Sequence, residues 1–144
     1  MYRDISNVVN MTALFQDAQA FTVNVSTWDI SKVQDISFMF AAKNSISDIR
    51  HWDVSSVITM RAVFQGSDFN QDISLWNVTS LQNADYAFFR ALDFNQNLCP
   101  WGDILAGRGN DTLSFFNAFG FSNCNTDESP DFSLDRPGPF CHAC

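Results

Sequence analysis

Positive charge is scarce in this chain: Lys and Arg number 8 against 16 acids, a formal net charge of −8. That balance would repel a phosphate backbone and argues against nucleic acid as a partner. Long apolar runs are also missing. Pieces such as Phe38 to Ala42 fall far short of the roughly 20 residues a membrane-spanning helix needs, so no bilayer crossing is expected. The opening "MYRDISNVVNMT" has no basic stretch followed by an apolar one. Any secretory signal is therefore absent, already removed or outside this chain, and secretion has to be argued on other grounds. No GxSxG, HExxH, GxGxxG or P-loop pattern occurs, and His51 and His142 stand apart from any nucleophile, so the expectation is a protein that is not an enzyme. Cysteine is withheld until Cys99.

What is present is aromatic and periodic. At 46% hydrophobic and 15% aromatic, with 15 phenylalanines, the 144 residues have ample material for one core. Trp28, Trp52, Trp76 and Trp101 recur at intervals of 24, 24 and 25, and self-similarity at such a period marks a repeat array. Aligned on them, "WDISKVQDISFMF" (28–40), "WDVSSVITMRAVF" (52–64) and "WNVTSLQNADYAF" (76–88) match, and "RDISNVVNMTALF" (3–15) joins with Arg3 in the tryptophan slot. A fifth unit starts at Trp101 but reaches Phe119 only after an insertion around "GDILAGRGNDT".

Each slot carries an expectation. Ile5, Ile30, Val54 and Val78 suit a β-branched strand ladder inside each coil. Ser6, Ser31, Ser55 and Thr79 follow as hydroxyls able to cap a helix. Val33, Ile36 and Phe40, then Val57, Met60 and Phe64, then Leu81, Ala84 and Phe88, have the spacing of one helical face two to three turns long. Phe21, Phe69 and Phe94 anchor the return, with Ser45 as the exception. The predicted fold is an α/β solenoid of about five 24-residue strand-plus-helix coils over residues 1–119, with a disulfide-stapled C-terminal cap over 120–144. Its repeat core is Trp28, Trp52, Trp76 and Trp101 with Phe15, Phe40, Phe64 and Phe88, because one such unit cannot bury its own apolar side.

The pattern in "FNQDISLWNVTSLQNADYAF", "WDVSSVITMRAVF" and "RDISNVVNMTALF" resembles the repeat of the BspA-like surface proteins, in the mycoplasma-lipoprotein-type branch, over roughly residues 3 to 119. The resemblance implies a right-handed, leucine-rich-repeat-like stack on secreted or cell-surface proteins, linked to adhesion or partner binding and without catalytic activity. It supplies no site residues. Arg3, Ser45 and the insertion in the fifth unit depart from the pattern.

Cys99, Cys124, Cys141 and Cys144 lie where the repeat weakens. Cys99 and Cys124, 25 residues apart, would face each other across one coil, leaving Cys141 and Cys144 to pair with one another, although four cysteines allow three connectivities. A zinc site from Cys124, Cys141, His142 and Cys144 is a weaker rival, because the spacing fits no familiar finger. Asn10, Asn24, Asn77 and Asn110 begin N-x-[ST] sequons, candidates for glycosylation in a secretory pathway. Asp4, Asp29 and Asp53, and Asp48 with Asp72, would form carboxylate ladders. Such ladders offer Ca²⁺ oxygen ligands, but a solvated polar face is the stronger reading. The tryptophans likewise read as core before they read as a sugar-stacking face.

The sequence therefore predicts an extracellular or cell-surface, non-enzymatic repeat glycoprotein. It would be structural or adhesive, with self-association head to tail into a filament, or contact with other surface proteins or glycans. The alternative is a monomeric recognition module binding a glycan or protein on the solenoid face. Ice binding ranks third, since the regular slots hold Asp and Asn and form no threonine ladder.

Overall fold

Each repeat begins with a side chain folded onto its own backbone. In the computed structural model, which describes residues 4–144, Oδ1 of Asp4, Asp29, Asp53 and Asn77 accepts the amide of Ser6, Ser31, Ser55 and Thr79, an Asx turn each time. Arg3 lies outside the described residues. The amides of Val8, Val33, Val57 and Leu81 then donate to the carbonyls of Ile5, Ile30, Val54 and Val78, closing a β-turn. The ladder expected to be a strand is thus the first corner of a turn. The hydroxyl residues expected to cap a helix are the donors of Asx turns.

The next stretch reads as a helix in the sequence and is not one. From Met60 to Ser67 every amide can be accounted for. Met60, Ala62, Phe64 and Gly66 donate to Asn83, Asp85, Ala87 and Phe89 of the following repeat. Val63, Gln65 and Ser67 donate within their own repeat to Met60, Ala62 and Phe64, and the Arg61 amide reaches Thr59 Oγ1 at 3.4 Å. Alternate residues therefore tie one repeat to the next, and the residues between them close tight turns. The geometry needs a left-handed backbone every fourth residue, with Ala62 at φ 52° and Gly66 at φ 65°. The equivalent pairs Ala13 and Asp17, Phe38 and Ala42, Tyr86 and Arg90, and Asn117 and Phe121 share it. A non-glycine residue there costs about 1–2 kcal/mol, a cost offset by amides and carbonyls that are paired on both sides of each interior coil.

The predicted α/β solenoid is overturned by this arrangement. Among the described residues the only α-helix is α1, Cys99–Leu105, and there is no strand. Successive repeats meet at isolated parallel bridges, Asn10 to Asp35 to Thr59 to Asn83 to Ser114. The strand-plus-helix unit and the leucine-rich-repeat likeness, with its handedness, fall with it. The cause is a degeneracy of spacing: four-residue turns bring Met60, Val63 and Phe64 inward as a helical stripe would. A free-standing helix of two to three turns is marginal, whereas the turn row gains a partner on each side.

Packing follows the columns. Phe15, Phe40, Phe64, Phe88 and Phe119 stack with ring centroids 5.5 to 5.8 Å apart. Phe69 and Phe94 lie flat on Phe64 and Phe88 at 3.8 and 4.0 Å. The indoles of Trp52, Trp76 and Trp101 are buried and donate to the carbonyls of Val25, Ile49 and Ile73 one repeat earlier. Trp28 is half-buried, against Phe15.

The C-terminal end is built differently. The helix α1 starts the fifth unit, and the insertion follows it. The tail then returns between two rungs: the Leu98 amide donates to Phe140 O and the Thr126 amide to Cys141 O. This threading sets the disulfides as Cys99–Cys144 and Cys124–Cys141, with Cα atoms 5.6 and 4.8 Å apart. It replaces the expected pairs Cys99–Cys124 and Cys141–Cys144, because the tail lies between the rungs that were expected to face each other. The tail passes so close to α1 that a Cβ on Gly102 would sit 2.6 Å from Pro137 O.

Candidate functional site

The two ends of the stack offer different chemistry. Inside it, the carbonyls of Asp35, Ser37, Met39 and Ala41 accept the amides of Met11, Ala13, Phe15 and Asp17. The same carbonyls of the first repeat are those of Asn10, Thr12, Leu14 and Gln16, and no described residue donates to them. The amides of Val9 and Asn10 likewise find no acceptor among the described residues, although their equivalents Gln34 and Asp35 both donate to Val9 O. Beside this row a cavity of about 750 Å³ opens onto the core, lined by Ile5, Val8, Met11, Leu14 and Trp28. Leu14 is 50% exposed although its column is apolar. Asp4 and Asp29 stand on the rim, and hydrogen bonds from Ser6 and Ser31 hold both carboxyls below their ordinary range.

At the other end the tail covers part of the amide row. The Asn117 amide donates to Ser129 Oγ, and Phe132 and Phe140 pack on Phe115 with centroids 5.2 and 5.7 Å away. Asn110 ties the insertion to the tail, accepting the Phe132 amide and donating to Asp131. Arg108 donates from Nη1 to Thr79 O and Leu81 O, closing carbonyls of the fourth repeat.

The sequence-predicted sites fall into place unevenly. Asn10, Asn24 and Asn77 are exposed, and each accepts the amide two residues on, the position filled by Asp35, Asp48 and Asp53 elsewhere. Their N-x-[ST] form is the Asx-turn signature of the repeat. The ladder aspartates serve the same turns, and among the described residues no group of three or more His, Cys, Asp or Glu is disposed to hold a metal ion. The three cysteines of the zinc alternative, Cys124, Cys141 and Cys144, are all in disulfides. An outer edge unforeseen in the sequence gathers Tyr86, Phe89, Phe116 and Phe121 edge to face, with Arg61 over Tyr86 and Arg90 over Phe89 and Phe121. No helix among the described residues is long and apolar enough to cross a membrane.

Stacked turns, an aromatic spine and one stapled end define a repeat protein. The chain belongs to the family described as "Mycoplasma protein of unknown function, DUF285", which matches residues 2–66 and 24–121. That match agrees with the coarse assignment to a surface-protein repeat family and lends nothing to leucine-rich-repeat architecture. No curated protein and no solved structure matches the chain.

Proposed function

We propose that the protein is a non-enzymatic element of the cell exterior, structural or adhesive, that makes contacts through its N-terminal end and is closed at its C-terminal end. The observation that carries the reading is the contrast between an acceptor row over exposed core at one end and a disulfide-stapled tail at the other. Two supports are added. Disulfides persist in oxidising compartments outside the cytosol, and family membership points to a surface setting. The Asx turns account for Asn10, Asn24 and Asn77 without a glycan, so glycosylation is no part of this reading. Head-to-tail filaments would require the covered tail of one copy to serve the acceptor row of the next.

A second reading, recognition by the side of a monomer, is favoured by the exposed Phe116 and Phe121 beside Arg90. Labelling of intact producing cells with a membrane-impermeant amine reagent, followed by mass analysis with and without reduction, tests the main proposal. Labelled protein carrying two disulfides is expected. Protein labelled only after lysis, with four free thiols, would overturn it.

A further inference from the structure

We infer that the N-terminal end is a docking surface for one more coil of the same 24-residue repeat, presented with its own trailing face uncovered, and that it rejects a second N-terminal end. Four internal interfaces provide the template. In each, four amides at alternate residues of one repeat meet four carbonyls of the next, as Ile36, Phe38, Phe40 and Ala42 meet Thr59, Arg61, Val63 and Gln65. The end repeat presents the receiving half of that same interface: the carbonyls of Asn10, Thr12, Leu14 and Gln16, with no donor among the described residues.

Direction follows from chemistry. Two such ends brought face to face would set four acceptors against four acceptors, with only the Val9 and Asn10 amides as donors, so a two-fold dimer through this surface loses most of the hydrogen bonds that hold each internal interface. The tail of a second copy is a poorer match for another reason: Ser129 Oγ already holds the Asn117 amide of its row, and Phe132 and Phe140 pack over Phe115. A partner coil must therefore supply free amides at every second residue and an aromatic to extend the Phe15 column. Its apolar side would close over Val8, Met11 and Trp28, removing the exposed slice of core. A contact of this kind is heterologous, the same sense repeated at each junction.

The test appends a second copy of Asp29–Trp52 directly ahead of Asp4 in the full chain, in place of residues 1–3. Trp52 precedes Asp53 in the native sequence, and Asp53 is the equivalent of Asp4, so the appended unit meets the end in native register. The expected result is a higher Tm in a single transition, with exchange of the Val9 and Asn10 amides slowed roughly tenfold or more as they become paired. A scrambled unit of the same composition should leave both unchanged. An unchanged Tm and unchanged Val9 exchange with the native-order unit would overturn the inference. So would a concentration-dependent dimer of the natural chain that Leu14→Glu abolishes. The inference rests on the reading of this end as the contact surface, but surface labelling of cells can succeed while the appended unit fails, which separates the two.

Discussion

The first repeat and the fifth share a backbone plan, yet one ends in carbonyls unmatched among the described residues and the other is packed by 23 residues of tail, Ser122 to Cys144, and two disulfides. The difference teaches how a stack of identical turns is terminated. A repeat gains its stability from both neighbours, so an end must be covered or remain available for contact. Here the last repeat has lost the 24-residue register to an insertion whose Arg108 donates back to carbonyls of the fourth repeat and whose Asn110 is tied to the tail, and Ser129 Oγ of the tail accepts the Asn117 amide that a sixth repeat would have accepted. The first repeat keeps its register and has no such substitutes among the described residues.

That contrast can be broken in several places. The largest effect is expected in the middle of the stack. Phe88 touches Phe64, Phe94, Trp101 and Phe119 and is fully buried, so Phe88→Ala should cost about 3–5 kcal/mol in urea unfolding. The same change at Phe15, in the end repeat, should cost less, about 3 kcal/mol or below. Equal losses would mean that the end repeat is as well supported as the centre. Next comes the staple. The disulfides close sequence separations of 45 and 17 residues, and Cys→Ser replacement at Cys99 or Cys124 should lower stability by about 3–4 kcal/mol each, read from the shift in denaturation midpoint. Loss of cooperativity confined to the tail, with the repeats melting unchanged, would show that the roof is a separate unit.

A smaller effect belongs to the contact between α1 and the tail. Because a Cβ on Gly102 meets Pro137 O and the Phe140 ring, Gly102→Ala should cost about 1–3 kcal/mol, while Gly107→Ala meets no neighbouring atom and differs only in its φ of 77°. The smallest effect is acid sensitivity, spread along the whole stack. Hydrogen bonds from Ser31, Ser55 and Ser74 hold the carboxyls of Asp29, Asp53 and Asp72 below their ordinary range in the folded chain. A depressed folded pKa contributes stability above the unfolded value of about 4, and that contribution is lost as pH falls through the folded value. Tm should therefore decline below about pH 4. A chain with Asn at all three positions should keep its Tm at neutral pH, because Asn24 and Asn77 already make this turn, and should show a shallower acid decline.

The repeat, its period, and the burial of Trp52, Trp76, Trp101, Phe40, Phe64 and Phe88 were legible in the sequence because inward-facing slots repeat whatever backbone carries them. The backbone itself was not. Val57, Met60 and Phe64 have the same spacing in four-residue turns as on a helix, and the left-handed positions are held by Phe38, Ala62 and Tyr86, residue types that do not announce φ above zero. The D-x-S and N-x-T pairs did carry the missing signal. Read as Asx turns, they place a corner at Asp29, Asp35, Asp53 and Asn77, inside the stretches expected to be strand or helix. The cysteine pairing was out of reach for another reason: it depends on a tail that threads between rungs, and no local spacing encodes that path. The open end was legible only in part. Head-to-tail association was expected of a repeat stack, but the polarity of the end, four acceptors in a row, follows from the turn geometry.

The central claim is that alternate amides join one repeat to the next, and it can be read directly by through-hydrogen-bond couplings on isotope-labelled protein. The account predicts couplings from the amide nitrogens of Phe38 and Phe40 to the carbonyl carbons of Arg61 and Val63. Couplings instead from Phe40 to the carbonyl of Ile36, four residues earlier in its own repeat, would contradict it.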